Sequence, residues 1–254
     1  MAEYVRYRKH NEIRYGALRE GNILEIRGDI FGRFEVSSVE HSRESLELLP
    51  PVEPTKIIAV GLNYLDHAQE MSMEIPTEPL LFLKPPSAVI GHDETIILPR
   101  SSERVDFEAE LAIVISKKAY KISANQAEHY ILGYTCANDV TARDFQKQDG
   151  QWARAKSFNT FCPLGPAIVT DVDTRGLDIK CLLNGEVVQS SNTRKMIFKA
   201  EELVSYISQV MTLFPGDVII TGTPPGVNQI KDGDTVEIQI DQLGTLRNYV
   251  KLED

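Results

Sequence analysis

The chain has 254 residues, 42% hydrophobic and 25% charged, and its 37 acidic against 27 basic side chains give a formal net charge of -10. That length supports one large core, or one core plus a small accessory unit. The negative balance disfavours nucleic acid as a partner, because phosphate backbones demand basic surfaces. No apolar run approaches the roughly 20 residues needed to span a bilayer, so no membrane partner is expected. The opening MAEYVRYRKHNEIRY lacks the apolar stretch of a signal peptide. Cys136, Cys162 and Cys181 lie in apolar segments without metal-ligand spacing. They read as free, buried thiols in a reducing compartment, and the expected location is cytoplasmic.

Residues 1–52 carry short strand-like runs punctuated by Gly and Asn-Ile turns (IRYGALREGNILEIRGDIFGRFEV), which predict a small N-terminal antiparallel β module. The Pro-rich LLPPVEPTK reads as an extended linker into a catalytic domain over 53–254. There the strand-like series runs IIAVGLN, EPLLFLKP, LAIVI, YILGYTC, GPAIV, DIKCLLNGEVV, DVIITG and TVEIQI. Helical patterning appears at Tyr64–Met73, Ala124–Tyr130 and Lys199–Met211. In the last of these Leu203, Tyr206, Ile207 and Val210 recur at helical spacing and read as core. Strands outnumber helices too heavily for a doubly wound fold, so the expected class is mixed α/β and β-rich.

Candidate chemistry begins at GLNYLDHAQEM, directly after a strand. Asn63 suits an N-cap and Asp66 suits the first helical turn. His67 and Glu70 fall at i and i+3, close enough to hydrogen-bond as a carboxylate-supported general base, or to be ordinary polar groups on a surface helix. In FLKP, Lys84 follows an apolar run and precedes two prolines, either as a solvent-facing amine or as a cation facing an anionic ligand.

In VDFEAELAIVI, Glu108 and Glu110 point to one face, about 7 Å apart along the strand. They sit at the mouth of a run that reads as covered on both sides. Asp139 closes the apolar run ILGYTCAND. Ionised carboxylates are costly in a core unless paired or bound to a cation. The trio is therefore either a solvated edge or an oxygen-ligand site for a hard divalent cation with room left for substrate. Arg143 and Gln146 follow Asp139 at i+4 and i+7, and Lys156 leads into the next apolar stretch. Each could be solvent-facing or could meet an anionic ligand. TGTPPGV, with Thr221 and Thr223, is either a plain tight turn or a carboxylate cradle of N–H groups and hydroxyls. No Gly-Lys-Ser/Thr follows it, so it is not a P-loop, and no glycine fingerprint for nucleotides exists elsewhere.

Taken together and in order, GLNYLDHAQE, EPLLFLKP, VDFEAELAIVI, GYTCANDVTARDFQ, WARAKSFNTFCPLGP and TGTPPGV resemble the fumarylacetoacetate hydrolase family from about Lys56 to the C-terminus. The resemblance implies a β-roll core housing Mg²⁺ or Mn²⁺, usually in a homodimer. It implies Glu108, Glu110 and Asp139 as metal ligands, and a catalytic pair His67–Glu70 on a lid, with Lys156 supporting the chemistry. Arg143, Gln146, Lys156 and Thr223 become substrate contacts, and Lys84 joins them as a substrate-binding candidate from its own setting after an apolar run. The long hydrolases of tyrosine breakdown carry a further metal carboxylate shortly before the active-site histidine, where this chain has Ala59, Val60, Gly61 and Leu62. The His-x-x-Glu pair is instead similar to the smaller members: acylpyruvate hydrolases, oxaloacetate decarboxylases or tautomerases, and the isomerase/decarboxylase of homoprotocatechuate catabolism.

The expected substrate is a small anionic oxo acid that chelates the metal through its keto oxygen and one carboxylate oxygen. The first expectation is isomerase/decarboxylase action on 2-oxo or 2-hydroxydiene dicarboxylates, as in 2-hydroxyhepta-2,4-diene-1,7-dioate isomerisation. Acylpyruvate hydrolysis and oxaloacetate decarboxylation or tautomerisation are the alternatives. A non-catalytic ligand-binding β protein would predict a broken ligand set or a broken His67–Glu70 pair, and both are intact in the sequence.

Overall fold

The computed structural model describes residues 1–254. Its backbone is a twelve-stranded sheet, a five-stranded sheet and a two-stranded ladder. In spatial order the main path of the large sheet runs Phe34–Ser42, Asn22–Gly28, Glu12–Arg19, Glu3–Lys9, Cys162–Val169, Ile131–Asn138, Ala109–Ile115, Val218–Ile220, Ile57–Val60 and Leu81–Lys84. The N-terminal strands thus continue the same sheet, Glu3 and Tyr4 pairing with Val169 and Ile168. The five-stranded sheet runs Glu186–Asn192, Asp178–Leu183, Thr235–Ile240, Gly244–Leu252 and Thr95–Leu98. DIKCLLNGEVV is a hairpin whose Asn184 and Gly185 both have positive φ, 54° and 84°. That is the backbone an Asn-Gly hairpin turn supplies.

All seven residues of Ala109–Ile115 are buried. Leu111, Ile113 and Ile115 enter a 38-residue apolar cluster that also holds Ile179, Val236, Ile238 and Leu246 of the five-stranded sheet, and Leu203, Val204 and Ile207 of helix Ala200–Val210. Ala112 and Val114 face a second cluster with Ile57, Ala59, Leu164 and Val218. The strand is therefore covered on both faces, as its unbroken apolar run predicts. Since alternate side chains change face, a one-residue slip would drive Glu110 into the larger cluster, so burial fixes the register.

Helices are few and short: Leu65–Glu70, Arg143–Asp149, Ala153–Lys156 and Ala200–Val210, while Ala124–Tyr130 winds as a 3₁₀ segment. None is long and apolar enough to cross a membrane. The three cysteines are free and buried, as their apolar settings predict.

Candidate metal centre and its pocket

The alternation that packs the strand also builds the site. Val105, Phe107, Ala109 and Leu111 point into the large apolar cluster. The intervening Arg104, Asp106 and Glu108 line a cavity of about 600 Å³. Ile131–Asn138 runs antiparallel beside this segment, with Ala137 opposite Glu110 and the Asp139 N–H donating to the Glu108 carbonyl at 2.9 Å. Asp139 is thus delivered to the same face as both glutamates. Carboxylate oxygens of Glu108, Glu110 and Asp139 all lie within 4.8 Å of one another, and all three residues are buried. The solvated-edge alternative is excluded by that burial.

Two unit negative charges at such a distance repel by about 3 kcal/mol at an effective dielectric constant near 20. Cations answer part of this. Lys156 Nζ donates to Glu108 Oε2 at 2.9 Å and Asp139 Oδ2 at 2.6 Å, and Arg143 donates to Glu108 Oε1 at 2.7 Å. Burial alone would raise the Glu108 pKa, but Lys156 and Arg143 outweigh it and hold the carboxyl at about 2. The Lys156 amine is likewise opposed by burial, yet Asp139 and Glu108 push its pKa up and keep it an ammonium.

Glu110 differs. No cationic side chain touches it, and its hydrogen bond comes from the Gly222 backbone N–H at 2.6 Å. Burial first, then the charges of Asp139 and Glu108, push its pKa well above the carboxylate range. Nearby, burial also raises the Tyr64 pKa, with Glu110 and Asp66 adding to it, and the Tyr64 hydroxyl is buried without a hydrogen-bond partner. An all-oxygen donor set with one uncompensated carboxylate fits a hard divalent cation. Gly222 can present its N–H so closely because it has φ +90°, and a Cβ there would meet Asn63 Cβ and the Gly61 carbonyl oxygen at 2.9 Å.

The TGTPPG turn does cradle carboxylates, but the protein's own. Gly222 holds Glu110, and the Gly226 N–H donates to Glu70 Oε1 at 3.1 Å. Glu70 Oε2 lies 2.9 Å from His67 Nδ1. A carboxylate only accepts, so Nδ1 carries the hydrogen of this contact, and in the neutral ring Nε2 keeps its lone pair. His67 and Glu70 both line the cavity. Their helix, Leu65–Glu70, is tethered through Asp66, whose carboxylate accepts from Ser191 Oγ at 2.7 Å and Lys195 Nζ at 2.9 Å.

The same cavity takes in Arg143, Gln146, Lys156 and Thr223. Arg143 is held from three sides: Nε by Asp106 at 2.9 Å, and its two terminal nitrogens by Gln146 and Glu108, each at 2.7 Å. Thr223 Oγ1 accepts from Gln189 at 3.0 Å.

Two local readings need correction. Lys84 does not border the cavity: its amine is fully buried and donates to Asp139 Oδ1 at 2.5 Å and to the Val140 carbonyl at 3.3 Å. It neutralises a candidate ligand from behind, because the strand Leu81–Lys84 aims it inward. Asn63 does not cap the helix, which starts from Tyr64 without a side-chain cap. Asn63 instead staples loops, accepting from Phe198 N at 2.8 Å and donating to the carbonyls of Thr221 and Phe198 at 2.8 and 3.1 Å.

Several site residues escaped sequence reasoning. Gln189 reaches over from the five-stranded sheet to accept from the Ala109 N–H at 3.0 Å and to donate to Thr223 and Pro224. Leu80, Phe82 and Trp152 form an apolar wall with Val60 and Leu62. Asp106 and Arg104 did leave a signal, since they sit two and four residues before Glu108 on its face.

Comparison with known proteins agrees with this architecture. Residues 56–251 match the model described as "Fumarylacetoacetate (FAA) hydrolase C-terminal", and residues 3–51 match "Rv2993c-like, N-terminal". The chain is 60% identical over 203 residues to an uncharacterized protein, MJ1656, of Methanocaldococcus jannaschii, covering 80% of this chain and 86% of that one. It is 48% identical over 214 residues to the mitochondrial oxaloacetate tautomerase Fahd2a of Rattus norvegicus, covering 80% and 68%. Among solved structures, 2-hydroxyhepta-2,4-diene-1,7-dioate isomerase from Mycobacterium marinum superposes with a TM-score of 0.94 at 42% identity, covering 100% of this chain and 99% of that one. With its β-rich fold and its collinear motifs, the chain belongs to the fumarylacetoacetate hydrolase family.

Proposed function

We propose that this protein is a Mg²⁺- or Mn²⁺-dependent enzyme acting on 2-oxo or 2-hydroxydiene dicarboxylic acids, with isomerase/decarboxylase action of the 2-hydroxyhepta-2,4-diene-1,7-dioate type as the leading reading. The observation that carries it is the buried convergence of Glu108, Glu110 and Asp139 beside a cavity that also holds the His67–Glu70 pair. A divalent cation there would supply Lewis-acid stabilisation of negative charge on the keto oxygen of a 2-oxo acid.

The chain's own residues do the rest. His67 Nε2 is free to take a proton from substrate or from a water, while Glu70, fixed by Gly226, orients the ring and stabilises its charged form. Arg143 and Lys156 offer positive charge to a substrate carboxylate, and Asp106 and Gln146 keep the guanidinium in place. Phe82 and Trp152, edge to face with centroids 5.1 Å apart, give a planar conjugated substrate an apolar surface and exclude water. A homodimer and a cytoplasmic location belong to the same reading.

The second reading, tautomerisation of oxaloacetate, draws support from the rat relative. Hydrolysis of acylpyruvates draws support from His67–Glu70, which can activate a water. With Mg²⁺ or Mn²⁺ present, oxaloacetate, an acylpyruvate and the hydroxydiene-dioate are to be compared side by side, with products identified by NMR. His67→Ala is expected to slow isomerisation or hydrolysis by about 10²- to 10⁴-fold, the usual worth of a general base, and to slow decarboxylation far less. Equal losses in all three reactions would contradict the role assigned to His67.

A further inference from the structure

We infer that Arg104 forms a second anion subsite at the outer end of the cavity, specific for the distal carboxylate of a dicarboxylic oxo acid. This rests on the functional reading above and adds the group that selects the substrate's far end.

The segment Arg104 to Glu108 is extended and sends alternate side chains into the cavity. Arg104 therefore stands about 13 Å along the chain from the candidate ligand Glu108, at the strand rise of roughly 3.3 Å per residue. An arginine side chain reaching back toward the metal end shortens that gap to the span of a chelated oxo acid with a chain of several carbons.

The guanidinium is also prepared for an anion. Asp106, with its side chain 1% exposed, accepts from Arg104 Nε at 2.9 Å and from one terminal nitrogen at 3.2 Å. The other terminal nitrogen makes no hydrogen bond, and the Arg104 side chain remains 48% exposed on the cavity wall. One buried carboxylate thus orients two arginines, since Asp106 also binds Arg143 Nε at 2.9 Å. Arg143 has a second carboxylate partner in Glu108 at 2.7 Å, whereas Arg104 has Asp106 alone. The Arg104 carbonyl additionally accepts from the Arg143 N–H at 2.7 Å, locking the two backbones together. Lys147 lines the same cavity with no carboxylate in ion-pair reach, adding another cation to its wall. The rest of the wall, Leu80, Phe82 and Trp152, is apolar and suits the carbon chain between two acidic ends. A fixed guanidinium with a free N–H is well matched to a carboxylate, whereas a free amine offers only a point charge.

The test uses the full-length protein loaded with Mg²⁺ and calorimetric binding of three probes: oxalate, 2-oxohexanoate and 2-oxoadipate. The two oxo acids have equal chain length and differ in the terminal carboxylate. The expected result is that wild type binds 2-oxoadipate about tenfold tighter than 2-oxohexanoate, the worth of a charge-assisted hydrogen bond. That ratio is expected to collapse toward one in Arg104→Gln and to be partly restored in Arg104→Lys. Because each ratio is taken within one variant, a general loss of affinity does not disturb it. An unchanged ratio in Arg104→Gln, or no preference in wild type, would overturn the subsite while leaving the oxo-acid reading intact. Failure of wild type to bind any of the three probes would overturn that reading and the subsite together.

Discussion

Glu110→Gln is expected to lower Mn²⁺ affinity by about a thousandfold, near 4 kcal/mol, by removing one of three anionic donors. Turnover should fall at least as far. The same substitution is expected to leave the metal-free protein as stable as wild type or more so. The reason lies in the geometry: Glu110 makes no ion pair, and burial, then Asp139 and Glu108, outweigh the charge of Lys156 and disfavour its ionisation. Glutamine keeps the size, still accepts the Gly222 N–H and carries no charge for the buried site to oppose. A carboxylate kept only for structure would show the opposite pattern, with lost stability and little change in metal binding. Calorimetric titration with Mn²⁺ and thermal unfolding in chelator measure both halves. Unchanged Mn²⁺ affinity would remove Glu110 from the ligand set.

Lys156→Met is expected to be the most destabilising change at the site when no divalent cation is present. Its ammonium is 2% exposed and bridges Glu108 and Asp139, themselves 9% and 0% exposed. Removing one partner of a buried charge pair strands the other, at a cost of about 3–5 kcal/mol. For a chain of this size, that corresponds to a fall in Tm of about 10 °C. Lys84 and Arg143 still face Asp139 and Glu108, so the fold should survive. A saturating divalent cation supplies the missing charge, so the deficit should shrink in excess Mg²⁺. The gap between metal-free and Mg²⁺-saturated Tm is therefore expected to widen in the variant. An equal deficit with and without Mg²⁺ would mean that Lys156 acts only in packing.

Much of the site is legible in the sequence because strand alternation is a local rule. VDFEAELAIVI places Glu108 and Glu110 on one face, and the unbroken apolar run after them implies cover on both sides, which the two apolar clusters provide. The same cost argument points to a buried partner role for Asp139, but local rules do not say where its side chain ends up. Its position depends on pairing between strands, with the Asp139 N–H donating to Glu108 from 31 residues away. Local preference misleads where tertiary demand is stronger. Asn63 has the chemistry of a helix cap, yet three backbone groups of distant loops claim its amide. FLKP alone suggests a Lys84 cation facing a ligand, whereas the fold turns it onto Asp139.

Helix Arg143–Asp149 has Phe145 as its one apolar side chain and no buried residue, so no apolar period announces it. The strands Thr95–Leu98 and Gly244–Leu252 pair in parallel across more than a hundred residues, and neither segment signals the other. Gln189 is invisible for the same reason, since it acts through a sheet that meets Ala109 only in three dimensions.

A cation held by the buried carboxylate trio would acidify the carbon beside the keto group of a 2-oxo acid. The most direct measurement is proton–deuteron exchange at that carbon, followed by ¹H NMR in D₂O with 2-oxoadipate as probe. Exchange is expected to be catalysed by the Mg²⁺- or Mn²⁺-loaded protein, to be abolished by exhaustive chelation and to fall by about a thousandfold or more in Glu110→Gln. Undiminished exchange after chelation, with the protein still folded, would mean that no cation at the trio takes part.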